Sequence, residues 1–293
     1  MEKPKIKKEE KSKKILPKIN FPKDIKFLDK LNKINEVEYK KWKYKKILTE
    51  KAFGKSTLII GLRCKDGIVL GGDRKVVRGG ETDFENKVKI FAIKGKVPVI
   101  FAAAGLGGII DDFLEMFIKT LKINIERGEI TSLFSIKLLA EDLVAKVGAR
   151  YGPRFGIASP IEFILGGLSE LSKGEARLYQ IGAPGFGERI RYCNLIGHGR
   201  SYARTIGKYL FPKDGKTGEI PFTCNEIVPR LATCIYWIGF KGEIDDYVGG
   251  DPQIVYIKDE KPEVIGGKYE KEKVLEKMNQ LKEILKKINF KTQ

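Results

Sequence analysis

Two continuous apolar runs around a tight turn constrain the fold of this chain more than any other feature. The runs are TLIIGLR, which begins at Thr57, and GIVLGG, which begins at Gly67 after the turn residues Lys65 and Asp66. Runs without polar alternation are typical of strands that are covered on both faces. The runs VKIFAI and VPVIFAAA follow with the same character. We therefore expect doubly covered strands from Thr57 onwards.

Blocks of helical and strand-like sequence follow these first strands. Helices are predicted after Gly107 and from Thr131, strands over 161–168, 175–182 and 188–197, helices over 199–210 and 225–240, and a strand over 252–258. Helices and strands in separate blocks, rather than in strict βαβ alternation, are typical of sheets packed against helices. We predict one α+β domain over residues 57–260.

The first 56 residues differ from this domain in composition. Residues 1–55 hold 19 Lys against 8 Asp and Glu, which supplies +11 of the net charge of +18. The Lys-, Glu- and Pro-rich residues 1–23 have the composition of a disordered segment, and residues 24–35 fit a short basic amphipathic helix. We predict a basic N-terminal extension or propeptide over residues 1–56. Because the excess charge is concentrated there, we expect no nucleic-acid binding by the folded domain, and binding through the extension is an alternative.

A C-terminal amphipathic helix is predicted over residues 266–293. Apolar residues recur there at alternating spacings of four and three, surrounded by Lys and Glu: Val274, Met278, Leu281, Leu285 and Ile288. This seam fits a partner helix or the chain's own domain. Two heptads favour packing on the chain's own domain.

Composition also limits the classes of protein to which this chain can belong. No apolar run is long enough to span a bilayer and no signal peptide is present, so we expect a cytoplasmic protein. Abundant Lys and Glu with a single His are typical of a thermophile. Four cysteines occur without a CxxC spacing, so we expect reduced thiols and no metal or cofactor: Cys64, Cys193, Cys224 and Cys234.

With His198 as the only histidine, most histidine-based catalytic triads are excluded. The glycines of residues 102–110 lack the third glycine of a dinucleotide-binding loop. A hydroxyl nucleophile would then need another base. A residue at a free N-terminus has one, because its own α-amine can take the proton.

Thr57 has the sequence surroundings of such a nucleophile. Asp73 follows it after 16 residues and Lys89 after 32, and Gly105 lies at a strand-to-helix turn. Together with the segments CKDGIVLGGDR, IGHGRSYA and DDYVGGDPQIVYI, these residues closely resemble the proteasome β-type subunits of the N-terminal-nucleophile hydrolases. The resemblance covers residues 56–258. It implies a four-layer αββα sandwich of two antiparallel sheets, in which removal of a propeptide exposes Thr57.

The resemblance also implies a role for each matching residue. The ammonium of Lys89 would stabilise the developing Thr57 alkoxide, and Asp73 would fix that lysine by a charge-assisted hydrogen bond. The backbone N–H of Gly105 would donate to the oxyanion. Asp245 belongs to the segment that closes near the threonine in this family.

Three positions depart from the family pattern. Ser56 stands before Thr57 where the family carries glycine, so Ser56 is an alternative nucleophile. His198 and Val248 stand where the family carries serines that position the terminal amine, so we expect altered or lost catalysis. His198 is a candidate replacement, because an imidazole can carry a proton near neutral pH.

The predicted function is that of a threonine-type peptidase acting on peptides or unfolded proteins. The family's rings imply a homo-oligomer or assembly with other proteasome-type subunits. Two alternatives stay open. One is a peptide ligase that uses the same acyl-enzyme, and the other is a non-catalytic assembly or binding protein that keeps residues 1–56.

Overall fold

The computed structural model describes residues 57–78, 81–93, 97–156, 159–215, 219–239, 247–261 and 263–289. The predicted N-terminal extension, with its helix over 24–35, lies outside these ranges, as does Asp245. The domain limits stay predictions.

The first sheet contains the two apolar runs that flank the Lys-Asp-Gly turn. Its strand order is β10-β1-β2-β11-β12, and all pairs are antiparallel. The strands are β1 (Leu58–Cys64), β2 (Gly67–Gly72), β10 (Cys193–Gly197), β11 (Gln253–Lys258) and β12 (Ile265–Gly266). Because β1 and β2 are central strands, they are covered on both faces, as their continuous apolar sequence predicts.

The second sheet is an antiparallel meander in sequence order, β5-β6-β7-β8-β9. Its strands are β5 (Val88–Ile93), β6 (Val97–Gly105), β7 (Ile161–Leu168), β8 (Ala176–Gly182) and β9 (Phe186–Ile190). A separate hairpin pairs β3 (Lys75–Arg78) with β4 (Glu81–Phe84). No sequence pattern marks this hairpin, because three of the four residues of β4 are polar and all four are exposed.

One predicted strand was wrong. The expected strand over 188–197 is two strands, β9 in the second sheet and β10 in the first. The chain crosses between the sheets at Arg191 and Tyr192, and the Tyr192 carbonyl accepts a hydrogen bond from Arg63 N at 2.7 Å. The sequence has no glycine or proline at this crossing, so no local turn signal marks it.

Five helices cover the outer faces of the two sheets in the described ranges. They are α1 (Gly107–Glu126), α2 (Leu133–Phe155), α3 (Arg200–Leu210), α4 (Cys224–Gly239) and α5 (Lys271–Asn289). A core between α1, α2 and the second sheet is centred on four aromatic residues: Phe101, Phe113, Phe117 and Phe163. A second core joins the first sheet to the helices α3, α4 and α5. A third core, rich in Ile and Leu, fills the space between the sheets.

Three cores between four layers confirm the predicted α+β sandwich of two antiparallel sheets. The C-terminal helix α5 buries Val274 and Met278 in the core that also contains α4. At these two positions the predicted seam packs on the chain's own domain. Within the described residues, no helix combines the length and the apolar character that a membrane span requires.

Candidate functional site

Asp73 is the most heavily bonded side chain of the predicted site. It follows the end of β2, and its side chain is fully buried. Its carboxylate accepts three backbone N–H groups: Leu58 at 2.8 Å, Gly249 at 3.1 Å and Lys75 at 3.2 Å. The N–H of Leu58 belongs to the peptide bond that follows Thr57. Asp73 therefore fixes the backbone directly after the predicted nucleophile.

The lysine that contacts Asp73 is Lys87. Its Nζ lies 2.8 Å from Asp73 Oδ1, and its side chain is only 8% exposed. Burial raises the pKa of the Asp73 carboxyl, and this effect is opposed by the Lys87 ammonium and by the backbone N–H donors. The ion pair and its backbone bonds thus form one buried polar cluster beside Thr57.

Lys89, the lysine predicted from spacing, is exposed. It lies on the face of β5 opposite to Val88, whose side chain points into the core between the sheets. It shares that face with Phe91 and Ile93, which pack toward the helices α1 and α2. Lys87 precedes the first residue of β5, so the alternation of side chains along a strand does not determine the direction of its side chain. The sequence NKVK offers two lysines, and counting residues from Thr57 selected the one that faces away from Asp73.

Thr57 is buried and leads directly into β1. Its carbonyl lies against Gly197, the last residue of β10. A Cβ at Gly197 would approach the Thr57 carbonyl oxygen to 2.1 Å, and Gly197 also has a φ of +92°. Both conditions require glycine. The turn between β10 and α3 therefore packs directly on the predicted nucleophile.

His198 follows Gly197 in this turn, and its side chain is exposed. Its ring makes an edge-to-face contact with Tyr247, with a centroid distance of 5.0 Å. Val248, at one of the positions where the sequence predicts a missing serine, is buried in the core of α3 and α4. The structure therefore brings residues 247–249 to the His198 turn and to Asp73.

Gly105 ends β6 with a φ of +153°, and a Cβ there would lie 2.2 Å from the Pro160 carbonyl oxygen. Its place relative to Thr57 follows from Glu162 on β7. Glu162 is the cross-strand neighbour of Ala104, and its carboxylate accepts a hydrogen bond from Gly197 N at 3.5 Å. The Gly105 turn and the Gly197 turn therefore lie at the same end of the two sheets.

The site is thus a buried carboxylate–ammonium pair at the start of β1, flanked by two glycine turns. In the described part of the chain, no three His, Cys, Asp or Glu side chains gather as metal ligands. The residues that the sequence analysis missed are Lys87 and Gly249. The sequence offered one signal for Gly249, its place in the Asp-x-Tyr-x-Gly-Gly segment, and none that separated Lys87 from Lys89.

Comparison with known proteins agrees with this fold. The family model described as proteasome subunit matches residues 54–221. Proteasome subunit beta 1 of Thermococcus gammatolerans is 32% identical over 154 residues, which cover 52% of this chain and 69% of that protein. Proteasome subunit beta 1 of Thermococcus kodakarensis is 29% identical over 159 residues, which cover 54% of this chain and 71% of that protein.

Solved structures of Anbu proteins share the fold. An Anbu (Gly-1) mutant from Hyphomicrobium sp. strain MC1 matches with a TM-score of 0.63 and 14% identity, over 80% of this chain and 97% of that one. The helical assembly of the Anbu complex from Pseudomonas aeruginosa gives a TM-score of 0.60 and 14% identity, over 80% and 96% of the two chains. These likenesses confirm the predicted N-terminal-nucleophile hydrolase fold. The family model matches more than half of this chain, and the match to one proteasome β subunit covers more than two thirds of that subunit. The chain therefore belongs to the proteasome subunit family.

Proposed function

We propose that the chain is a threonine-type amide hydrolase whose nucleophile is Thr57, exposed by self-cleavage of the bond between Ser56 and Thr57. In self-cleavage, the Thr57 hydroxyl oxygen attacks the Ser56 carbonyl carbon and the peptide C–N bond breaks. The new α-amine receives a proton, and water hydrolyses the resulting ester. The released amine then serves as the base for attack on a substrate amide.

One observation carries this proposal: the Asp73 carboxylate binds both the N–H after Thr57 and the Lys87 ammonium. A positive charge held beside a threonine hydroxyl stabilises the alkoxide that forms during attack. A buried ion pair without such a task is poor evidence for a gain in stability, since replacing it by apolar residues is often neutral or favourable. We therefore assign to Lys87 the role that residue spacing gives to Lys89.

Three further residues complete the proposed machinery. The backbone N–H of Gly105 is assigned to the oxyanion, because its turn lies at the Thr57 end of the sheets. His198 is assigned to proton transfer beside the α-amine, because its turn packs on Thr57. Asp245 stays a prediction from the sequence resemblance.

Intact mass of the purified protein tests the self-cleavage. We expect a wild-type chain that begins at Thr57, and a Thr57→Ala variant that keeps its N-terminal segment. Ser56→Ala is the matched control and should be cleaved at the same bond. A wild-type terminus at Ser56 would move the nucleophile by one residue. A wild-type chain that stays full length would contradict the proposal and favour the non-catalytic assembly protein.

Product analysis separates hydrolysis from ligation. The processed protein is incubated with a fluorogenic peptide amide, with and without an added amine such as a short peptide. We expect the free acid as product in both cases. A new amide that forms only when the amine is present would assign the acyl-enzyme to ligation instead.

We also propose that the chain works as a homo-oligomer in the cytoplasm. The support is its membership of the proteasome subunit family and its likeness to an Anbu protein solved as a helical assembly. Analytical ultracentrifugation over a range of concentrations should show a species several times the mass of the single processed chain. A protein that sediments as a monomer throughout would contradict this assembly.

A further inference from the structure

The strand β5 is the edge strand of the second sheet, and it pairs only with β6 in that sheet. An edge strand presents N–H and C=O groups that no neighbouring strand satisfies. At Val88, the first residue of β5, the side-chain amide of Gln253 satisfies both groups. Val88 N donates to Gln253 Oε1 at 2.9 Å, and Gln253 Nε2 donates to the Val88 carbonyl at 2.7 Å. The amide thus takes the place of a neighbouring strand residue.

Gln253 is itself fixed to the strand that leads into the site. It is the first residue of β11, and its cross-strand partner on β2 is Gly72, which immediately precedes Asp73. Lys87 immediately precedes Val88 in the same way. Each residue of the ion pair is therefore next in sequence to a residue that Gln253 contacts: Asp73 follows Gly72, and Lys87 precedes Val88.

We propose that Gln253 is a positioning residue that sets Lys87 against Asp73, and this inference rests on the proposed hydrolase function. The side chain reaches from the first sheet to the second and binds the backbone of Val88 in both directions. These two hydrogen bonds fix the backbone directly after Lys87, close to Asp73. The same contact explains why Lys87, and not Lys89, reaches the carboxylate.

The requirement at this position is specific to glutamine. The Val88 backbone offers one donor and one acceptor, so its partner must accept and donate in the same plane. A glutamine amide does both, a glutamate carboxylate only accepts, and an asparagine amide is one methylene shorter. Methionine matches the length and flexibility of glutamine and has neither strong group. Gln253→Met therefore removes the two hydrogen bonds with little change in side-chain volume.

The chain offers a matched control. Gln180 on β8 accepts a hydrogen bond from Asn194 on β10, which also joins the second sheet to the first through a side-chain amide. Its neighbours along the strands are not residues of the ion pair. Gln180→Met therefore breaks a link between the sheets without touching Lys87.

The test is competitive acylation of the purified protein by an N-hydroxysuccinimide ester, read peptide by peptide in the mass spectrometer. In the wild type, the paired Lys87 should react much more slowly than the exposed Lys89. We expect Gln253→Met to raise the ratio of Lys87 to Lys89 labelling several-fold, and Gln180→Met to leave it unchanged. An unchanged ratio in Gln253→Met, or an equal rise in both variants, would overturn the proposal. If Gln253→Met does not fold, Gln253→Asn makes the same comparison.

Kinetics separate this inference from the proposed function. If the processed enzyme hydrolyses a fluorogenic peptide, Gln253→Met should lower kcat by at least about tenfold with KM unchanged. Gln180→Met should keep the wild-type values. A rise in KM alone in Gln253→Met would contradict a positioning role. A wild type without hydrolysis would refute the proposed function, while the labelling ratio would still decide the role of Gln253.

Discussion

Asp73 connects four separate parts of the chain: the start of β1, the start of β3, the residue before β5, and residues 247–249. A buried carboxylate needs this many donors, because each unsatisfied oxygen lone pair would raise the cost of burying the charge. The Asp73 carboxylate therefore also holds these four parts of the chain together. Changes to either member of the ion pair should affect both stability and self-cleavage.

Replacing Lys87 tests the contribution of the ion pair to stability. In Lys87→Met the Asp73 carboxylate stays buried without its ammonium, which typically lowers the free energy of unfolding by about 3 to 5 kcal/mol. Lys89→Met is the matched control, and as an exposed substitution it should change that free energy by less than about 0.5 kcal/mol. Urea denaturation at pH 7 measures both. A larger loss in Lys89→Met than in Lys87→Met would refute the assignment of Lys87.

Gly197 offers a second test at the scale of one residue. Gly197→Ala places a methyl group against the Thr57 carbonyl, so the entry to β1 must shift and self-cleavage should slow by at least about tenfold. Gly128→Ala is the control, because Gly128 also has a positive φ, +74°, but has open space around its Cα. That variant should bear only the backbone strain. Rates of cleavage followed by intact mass compare the two, and equal rates would contradict the contact.

At the scale of elements, the helix α4 begins with half of a capping box, in which the Glu226 side chain binds back to Thr223. The Thr223 backbone N–H and hydroxyl both donate to Glu226 Oε2 at 2.8 Å. These bonds from Thr223 lower the pKa of the Glu226 carboxyl. The buried face of α4 packs on the first sheet, so the start of this helix sets part of the outer layer. The sequence Thr-x-x-Glu encodes this start locally.

Thr223→Ala should lower the free energy of unfolding by about 1 kcal/mol, because the first turn of α4 loses the hydrogen bond that the Thr223 hydroxyl donates. Thr205→Ala is the comparison, since Thr205 is exposed within α3 and caps no helix terminus. Because the Glu226 pKa is lowered in the folded protein, its contribution is complete above the ordinary carboxyl pKa and is lost as the pH falls. Thermal unfolding of both variants at pH 7 and at pH 4 measures the contribution of this hydrogen bond. A Thr223→Ala effect no greater than that of Thr205→Ala would contradict it.

The elements that the sequence predicted are those with local signals. Continuous apolar runs indicated β1, β2 and β6, and helical periodicity indicated α1 and α2. The break between β9 and β10 could not be predicted, since no glycine or proline interrupts the sequence where the chain changes sheets. For the same reason the site was only partly predictable. Asp73 follows an obvious strand, whereas the choice of Lys87 depends on Gln253, which lies 166 residues further along the chain.

At the scale of the whole molecule, buried thiols make stability depend on alkaline pH. Burial raises the pKa of the Cys193 thiol to about 12 and raises that of Cys234 further. In the unfolded chain these thiols ionise near pH 9, while in the folded protein they keep their protons. The folded state is therefore favoured fully below pH 9 and loses stability as the pH rises from about 9 to 12.

Urea midpoints measured from pH 8 to pH 11 should fall above about pH 9. Cys234→Ala should reduce the steepness of that fall, because one fewer thiol ionises on unfolding, although the small cavity lowers its stability at pH 8. Lysines and tyrosines ionise equally in both proteins and cancel in the comparison. Parallel curves for wild type and variant would show that Cys234 does not contribute.

The strands of the second sheet are consecutive in sequence, whereas the first sheet combines β1 and β2 with strands from much later in the chain. The two sheets are therefore completed at different times during synthesis. The second sheet and its helices are complete once the ribosome has released residue 190, whereas the first sheet needs β11, which ends at Lys258. Domains begin to fold from the N-terminal side as they emerge. Asp73 cannot receive its hydrogen bond from Gly249 until residue 249 has left the ribosome. A nascent chain that has not yet released Gly249 therefore carries an incomplete Asp73 cluster, and the proposed self-cleavage has to wait for this residue.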